Sequence, residues 1–138
     1  MTLHVTGGCL CGAVRYSVTG PLRDIVACHC RQCRRSSGHF AAATACRRKY
    51  FTLDSDATLA WFSAVEGHRR GFCRACGSSL FFEAIGGERI SIAAGSLDTP
   101  QGLSIAAHLF TSEAGDYYMI DPGVASSPIG EHHVELPP

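Results

Sequence analysis

The residues best suited to chemistry in this chain are its cysteines, and they come in short, closely spaced groups. Cys9-Leu10-Cys11 is a CxC pair. On an extended strand, positions i and i+2 share a face, so both sulfurs can aim at one ion. Cys73-Arg74-Ala75-Cys76-Gly77 is a CxxC turn, whose two intervening residues let the chain curl until both thiolates reach a metal. Gly77 supplies the left-handed backbone that such a turn wants. Together the two pairs offer four thiolates, the complement of a closed tetrahedral structural zinc site.

Cys28-His29-Cys30-Arg31-Gln32-Cys33 holds three more cysteines and no equally good fourth partner. Three protein ligands with one open position is the arrangement of a catalytic zinc. Water or a substrate thiolate can fill the opening, and zinc lowers the pKa of either. A second structural site closed by His29, His39 or Cys46 is the alternative. A redox CxxC is another, but no βαβ pattern surrounds these residues. Cys46 lies in an apolar, strand-like run and reads as a buried small hydrophobe. Thiolate-rich tetrahedral sites suit zinc or iron, and zinc is the commoner occupant.

Short strands must position these groups, and few segments look helical. Leu10 to Val18 reads as a strand, with Val14, Tyr16 and Val18 on one face and Ala13, Arg15 and Ser17 on the other. Further strands are expected at 24–28, 39–45, 50–53, 58–62, 70–72, 79–83, 89–93, 105–110 and 117–120. Gly86-Gly87 marks a hairpin. A helical turn is expected over Gln32 to Ser37, ended by Gly38. The pattern describes a mainly β domain of antiparallel sheets over residues 1–120. A Pro-containing tail follows at 121–138.

Bulk properties bound the function. The chain has 138 residues, 46% hydrophobic and 17% charged, so a single domain with a real core is expected. The formal net charge of zero argues against a protein that coats nucleic acid or an anionic membrane. No apolar run approaches the roughly 20 residues that span a bilayer. The segment from Met1 to Gly7 has neither a basic nor an apolar signal region, so a cytoplasmic location is expected. In that reducing compartment, eight cysteines favour metal over disulfides.

Five pieces, in order, resemble the family of glutathione-dependent formaldehyde-activating enzymes (Gfa-like or centromere-protein-V-like). They are Gly8-Cys9-Leu10-Cys11-Gly12-Ala13-Val14-Arg15-Tyr16, Cys28-His29-Cys30-Arg31-Gln32-Cys33-Arg34, Phe72-Cys73-Arg74-Ala75-Cys76-Gly77-Ser78, Gly95-Ser96-Leu97-Asp98 and His108-Leu109-Phe110. The resemblance implies an Mss4-like fold with two zinc ions: a structural one on Cys9, Cys11, Cys73 and Cys76, and a catalytic one on Cys28, Cys30 and Cys33. It implies carbon–sulfur lyase chemistry, the interconversion of S-hydroxymethylglutathione with formaldehyde and glutathione. A small-molecule thiol, and neither nucleic acid nor membrane, is then the expected partner. The other reading is a non-catalytic, zinc-stabilised protein-binding module, since Mss4-like folds also serve that role. Two departures touch the expected substrate pocket: Tyr117 and Tyr118 stand where the family often has Trp, and Asp54-Ser55-Asp56 replaces a usual Gly.

Other residues admit paired readings. Arg31, Arg34 and Arg35, with Arg23 nearby in sequence, suit the carboxylates of glutathione, or form a solvated basic face. Ser36, Ser37 and Gly38 read as turn chemistry. His29 is expected to turn away from the metal and pack behind it or relay protons. Asp98 is expected to cap a turn before Pro100. His108 reads as a satisfied core histidine, and Trp61 and Phe62 as core.

Overall fold

The computed structural model describes residues 3–130 and 134–138. Met1 and Thr2, part of the expected leaderless N-terminus, lie outside the described residues, as do 131–133 of the expected tail. Eleven strands and one short helix make up the frame among the described residues. In chain order they are β1 (Val5–Gly8), β2 (Arg15–Val18), β3 (Ile25–Cys28), α1 (Arg31–Ser37), β4 (Ala41–Arg47), β5 (Phe51–Ser55) and β6 (Leu59–Phe62). Then come β7 (His68–Cys73), β8 (Ser79–Ala84), β9 (Arg89–Ala93), β10 (Ile105–Leu109) and β11 (Ala125–Ser127). No described helix is long and apolar enough to cross a membrane.

The strands form two sheets. A small one has the order β1-β2-β5, and a large one the order β11-β10-β3-β4-β9-β8-β7-β6. Antiparallel pairing dominates, as the sequence pattern implies. The exceptions are β10 with β3 and β10 with β11, which run parallel. Parallel neighbours need a long crossover connection, and here most of the chain separates β3 from β10. That pairing has no local signature, which is why alternation alone could not reveal it.

The core lies between the two sheets. On β2 and just before it the expected alternation holds: Val14, Tyr16 and Val18 are fully buried. They meet Cys46, Phe81, Ile90 and Ile92 of the large sheet. Tyr16, Phe51 and Phe81 form an aromatic triangle with centroids 5.2–5.7 Å apart. Alternation on β9 sends Ile90 and Ile92 into this core and leaves Arg89 and Ser91 on the opposite face, where a cavity opens. Glu83 is buried in the same region, and Arg48 and Arg69 both pair with it, so its charge is compensated.

Four expectations are corrected. The segment from Leu10 to Ala13 is a turn, and β2 begins only at Arg15. Gly12 takes a left-handed φ of 81° there and returns its N–H to the Cys9 carbonyl. Residues 117–120 form no strand; they lie in a loop from which the Tyr118 and Tyr117 hydroxyls reach His29 and His39. Phe62 is 59% exposed at the end of β6, whereas Trp61 does pack against the core under the Arg69 guanidinium. Asp98 does not cap a turn: its carboxylate pairs with Arg15 and accepts from the Thr6 hydroxyl. It thereby ties β1 and β2 to the loop after β9.

Gly7 marks the tightest approach in this region. A Cβ there would lie 2.2 Å from the Tyr16 hydroxyl and 2.5 Å from the Ser96 carbonyl oxygen. The Tyr16 hydroxyl in turn meets Ser96 Oγ at 2.7 Å. Replacing Gly7 with Ala should therefore destabilise the fold by about 1–3 kcal/mol through overpacking. Gly95→Ala, with open space at its Cβ position, should stay within about 0.5 kcal/mol of the parent. Urea denaturation of the two variants checks the contrast.

Candidate metal centres

The first cysteine group gathers from two distant stretches. Cys9 and Cys11 flank the turn that follows β1. Cys73 ends β7, and Cys76 follows in a turn closed by the Gly77 N–H on the Cys73 carbonyl. Gly77 has φ 79°, the left-handed value expected of it. The four sulfurs all lie within 4.8 Å of one another. Cys9 Sγ is 3.6 Å from Cys11 Sγ, and Cys11 Sγ is 3.8 Å from Cys73 Sγ. Four thiolates on a tetrahedral ion at Zn–S distances of about 2.3 Å stand about 3.8 Å apart. The donor set therefore fits such an ion without rearrangement.

Neighbouring donors prepare these sulfurs to carry charge. The Val14 N–H reaches Cys9 Sγ at 3.2 Å, and Thr58 Oγ1 lies 3.3 Å from Cys73 Sγ. Ser78 Oγ accepts from the Leu10 N–H and lies 3.2 Å from Cys76 Sγ. The Ser78 contact, with backbone donors behind it, pulls the Cys76 thiol down to about 5, and the Thr58 hydroxyl lowers Cys73. Hydrogen bonds to the ionised form favour it.

The second group is local. Cys28 ends β3, Cys30 caps α1, and Cys33 sits buried in its first turn. Cys30 Sγ accepts from the Cys33 N–H at 3.4 Å, so the sulfur does the work usually given to a capping hydroxyl. Gly38 ends the helix in the left-handed region, as expected. These three sulfurs also lie within 4.8 Å of one another. Among the described residues no histidine, carboxylate or further cysteine joins them. Cys46 is fully buried in the core, where burial pushes its thiol up to about 11.

His29 lies outside the cluster, turned away from the three sulfurs as expected. It is fully buried, with Nδ1 2.5 Å from the Tyr118 hydroxyl and Nε2 2.9 Å from His108 Nδ1. Burial, reinforced by His108 and His39, lowers its pKa and disfavours its charged form. His39 Nδ1 lies 2.6 Å from the Tyr117 hydroxyl. Phe40 packs among these rings, so a wall of histidines and tyrosines stands behind Cys28 and Cys30. Ser36 and Ser37 direct their hydroxyls to the Cys33 carbonyl, the turn chemistry expected of them.

In front of the three sulfurs lies a cavity of about 990 Å³, lined by Cys28, Cys30 and Cys33. Arg23, Arg31 and Arg35 line it, as the sequence suggested for the cationic surroundings, whereas Arg34 does not. Two lining arginines were not anticipated: Arg70 on β7 and Arg89 on β9. Arg70 places a guanidinium nitrogen 3.8 Å from Cys33 Sγ. The Cys28 hydrogen bond, the Cys30 hydrogen bond and the Arg70 charge all lower the Cys33 thiol, against burial. Arg70 precedes the CxxC turn by three residues, the one sequence signal that could have found it. The position of Arg89 depends on long-range strand pairing.

The sequence profile of the family described as glutathione-dependent formaldehyde-activating enzyme matches residues 4–113. The chain belongs to that family. Its members' description ties them to glutathione and formaldehyde, and both cysteine clusters here can hold a metal ion compatible with zinc. Among solved structures, this fold is similar to that of a Rhodobacter sphaeroides protein at 25% identity, with a TM-score of 0.59. The match covers 70% of this chain and 91% of that one.

A metal-cluster cysteine and a core cysteine should separate on replacement. Cys76→Ala should remove one equivalent of bound metal and lower Tm. Cys46→Ala should keep the full metal content and cost about 1 kcal/mol, as expected for a small core void. Elemental analysis alongside thermal denaturation reads both outcomes.

Proposed function

We propose that this protein is a zinc-dependent carbon–sulfur lyase that interconverts S-hydroxymethylglutathione with formaldehyde and glutathione. One zinc would be structural, on Cys9, Cys11, Cys73 and Cys76. The other would be catalytic, on Cys28, Cys30 and Cys33. The observation that carries the reading is the second cluster: three sulfurs with no fourth protein donor among the described residues, opening onto a large cavity lined by arginines. Membership of the family supports the substrate pair.

Zinc bound there would supply an open position at which a thiol is held as thiolate at neutral pH. The remaining work falls to the chain itself. In the lyase direction the hydroxyl proton of the adduct passes to water in the cavity, the carbon–oxygen double bond forms, and the carbon–sulfur electron pair returns to sulfur. In the reverse direction the thiolate adds to the formaldehyde carbon and the new alkoxide takes up a proton. Arg70 sits against Cys33 and offsets the negative charge that three thiolates concentrate. Arg31 and Arg35 stand at the cavity wall, where their planar forks suit the carboxylates of glutathione. His29, next to Cys28 and Cys30 in sequence, is held by Tyr118 on one ring nitrogen and His108 on the other, which helps orient the ligand-bearing segment.

Replacing Cys30 with Ser tests the assignment. The variant should stay folded, lose one of two metal equivalents, and lose more activity than the about 10- to 100-fold typical of a supporting residue. Formation of S-hydroxymethylglutathione, followed with metal content, provides the readout. Full turnover with a single metal bound would overturn the proposal. Four protein donors at both centres, seen by X-ray absorption, would favour a protein-binding module instead.

A further inference from the structure

The cavity has a second end, away from the sulfurs, built around an arginine that folding buries without a counter-charge. Arg23 is only 7% exposed. Its Nε donates to the Asp24 carbonyl at 3.0 Å, and one terminal nitrogen donates to the Ala43 carbonyl at 2.9 Å. Both acceptors are neutral. Among the described residues no carboxylate pairs with Arg23, nor with Arg89, which lines the same cavity. The acids that also line it do not fill this role. Glu83 is taken by Arg48 and Arg69, Glu113 accepts from the Arg31 N–H at 3.2 Å, and Glu88 makes no ion pair among the described residues. Burial, with Arg89 adding to it, lowers Arg23 to about 10, so it remains a cation at neutral pH. A buried cation beside a second cation, open to a cavity, is costly until an anion arrives.

Strand register sets the distance from this cation to the sulfurs. Ala43, which anchors the Arg23 guanidinium, pairs with Val26, and Ala41 pairs with Cys28. Two residues of strand separate those levels, about 7 Å. The floor between them is Val26, Ala41 and Ala43, small side chains that leave the path open. We propose that Arg23 and Arg89 form a carboxylate-binding subsite, so that the site selects thiols whose carboxylate lies a peptide unit or more away from the sulfur. This rests on the reading of the cysteine cavity as a thiol-substrate site. It distinguishes peptidic thiols such as glutathione from cysteine, whose own carboxylate is too close to reach.

The test uses the metal-loaded protein and two probes, S-methylglutathione and succinate. Binding is followed by calorimetry and by the ¹⁵N arginine Nε–Hε signals. S-Methylglutathione should bind the parent and shift the Arg23 signal. Arg89→Gln, on an exposed side chain, and Arg23→Gln should each weaken that binding at least tenfold. Arg23→Lys serves if Arg23→Gln does not fold. The ethyl ester of the glycine carboxylate should bind the parent as weakly as the acid binds the variants, and should be indifferent to either substitution. Arg47→Gln, outside the cavity, should change nothing. Equal binding of S-methylglutathione to parent and Arg89→Gln overturns the subsite and leaves the glutathione reading standing. If S-methylglutathione fails to bind but succinate shifts Arg23 in the parent and not in Arg89→Gln, the subsite stands, and failure of free glutathione itself to bind would then overturn the glutathione reading. If neither probe shifts Arg23, the subsite is overturned.

Discussion

Four sulfurs must converge to within van der Waals contact, and they come from parts of the chain more than sixty residues apart: Cys11 and Cys73 are separated by 62 positions. Thiolates that close repel one another. The arrangement is stable only if donors and a cation share their charge. Much of the fold around them answers that requirement. The turn after β1, the turn between β7 and β8 and the segment before β6 each present a group to the cluster: the Val14 N–H, the Ser78 hydroxyl and the Thr58 hydroxyl. Because β1 belongs to the small sheet and β7 to the large one, the cluster also fastens the two sheets together at one end. Asp98 with Arg15, and Gly7 with Tyr16 and Ser96, make the neighbouring fastenings.

The second cluster has the opposite design. Its sulfurs are neighbours in sequence, and what distance brings to them is surroundings. β7 contributes Arg70, β9 contributes Arg89, and the segment after β10 contributes Tyr117 and Tyr118 to the wall through His39 and His29. The division follows the two uses a thiolate group can serve. A group that holds the molecule together is best closed by the chain itself, whereas a group that meets a small molecule needs a built approach on one side and rigid support on the other.

The cysteine groups could be read from the sequence because their logic is local: a CxC, a CxxC followed by glycine, and three cysteines within six residues are spacing arguments. The buried face of β2 and the short helix ended by Gly38 were legible for the same reason, since period and capping act over a few residues. Even there the chain found another route for the CxC, a left-handed turn at Gly12 in place of a strand, while still aiming both sulfurs at one point. What could not be read depends on partners far away. The parallel pairing of β3 with β10 carries no periodic signature. Tyr117 and Tyr118 looked like strand residues because aromatics favour strands; in the fold they lie in a loop and their hydroxyls reach His39 and the buried His29. Asp98 looked like a turn cap until Arg15, far back in the chain, supplied a stronger partner.

The difference in span between the two clusters has a consequence for the chain as it is made. On a growing polypeptide, Cys28, Cys30 and Cys33 emerge together, and three thiols are available to any free metal at once. Cys9 and Cys11 emerge earlier still, yet must wait for Cys76 before their own site can close. During that interval the five N-terminal thiols are all within reach of one another on a flexible chain, and loop closure over some twenty residues is cheaper than over sixty. The kinetically easy ligand set is thus a mixed one that the finished fold forbids. Correct metal loading then requires either that metal arrive after β7 has joined the sheet, or that early-bound metal exchange between thiolates as the sheets assemble.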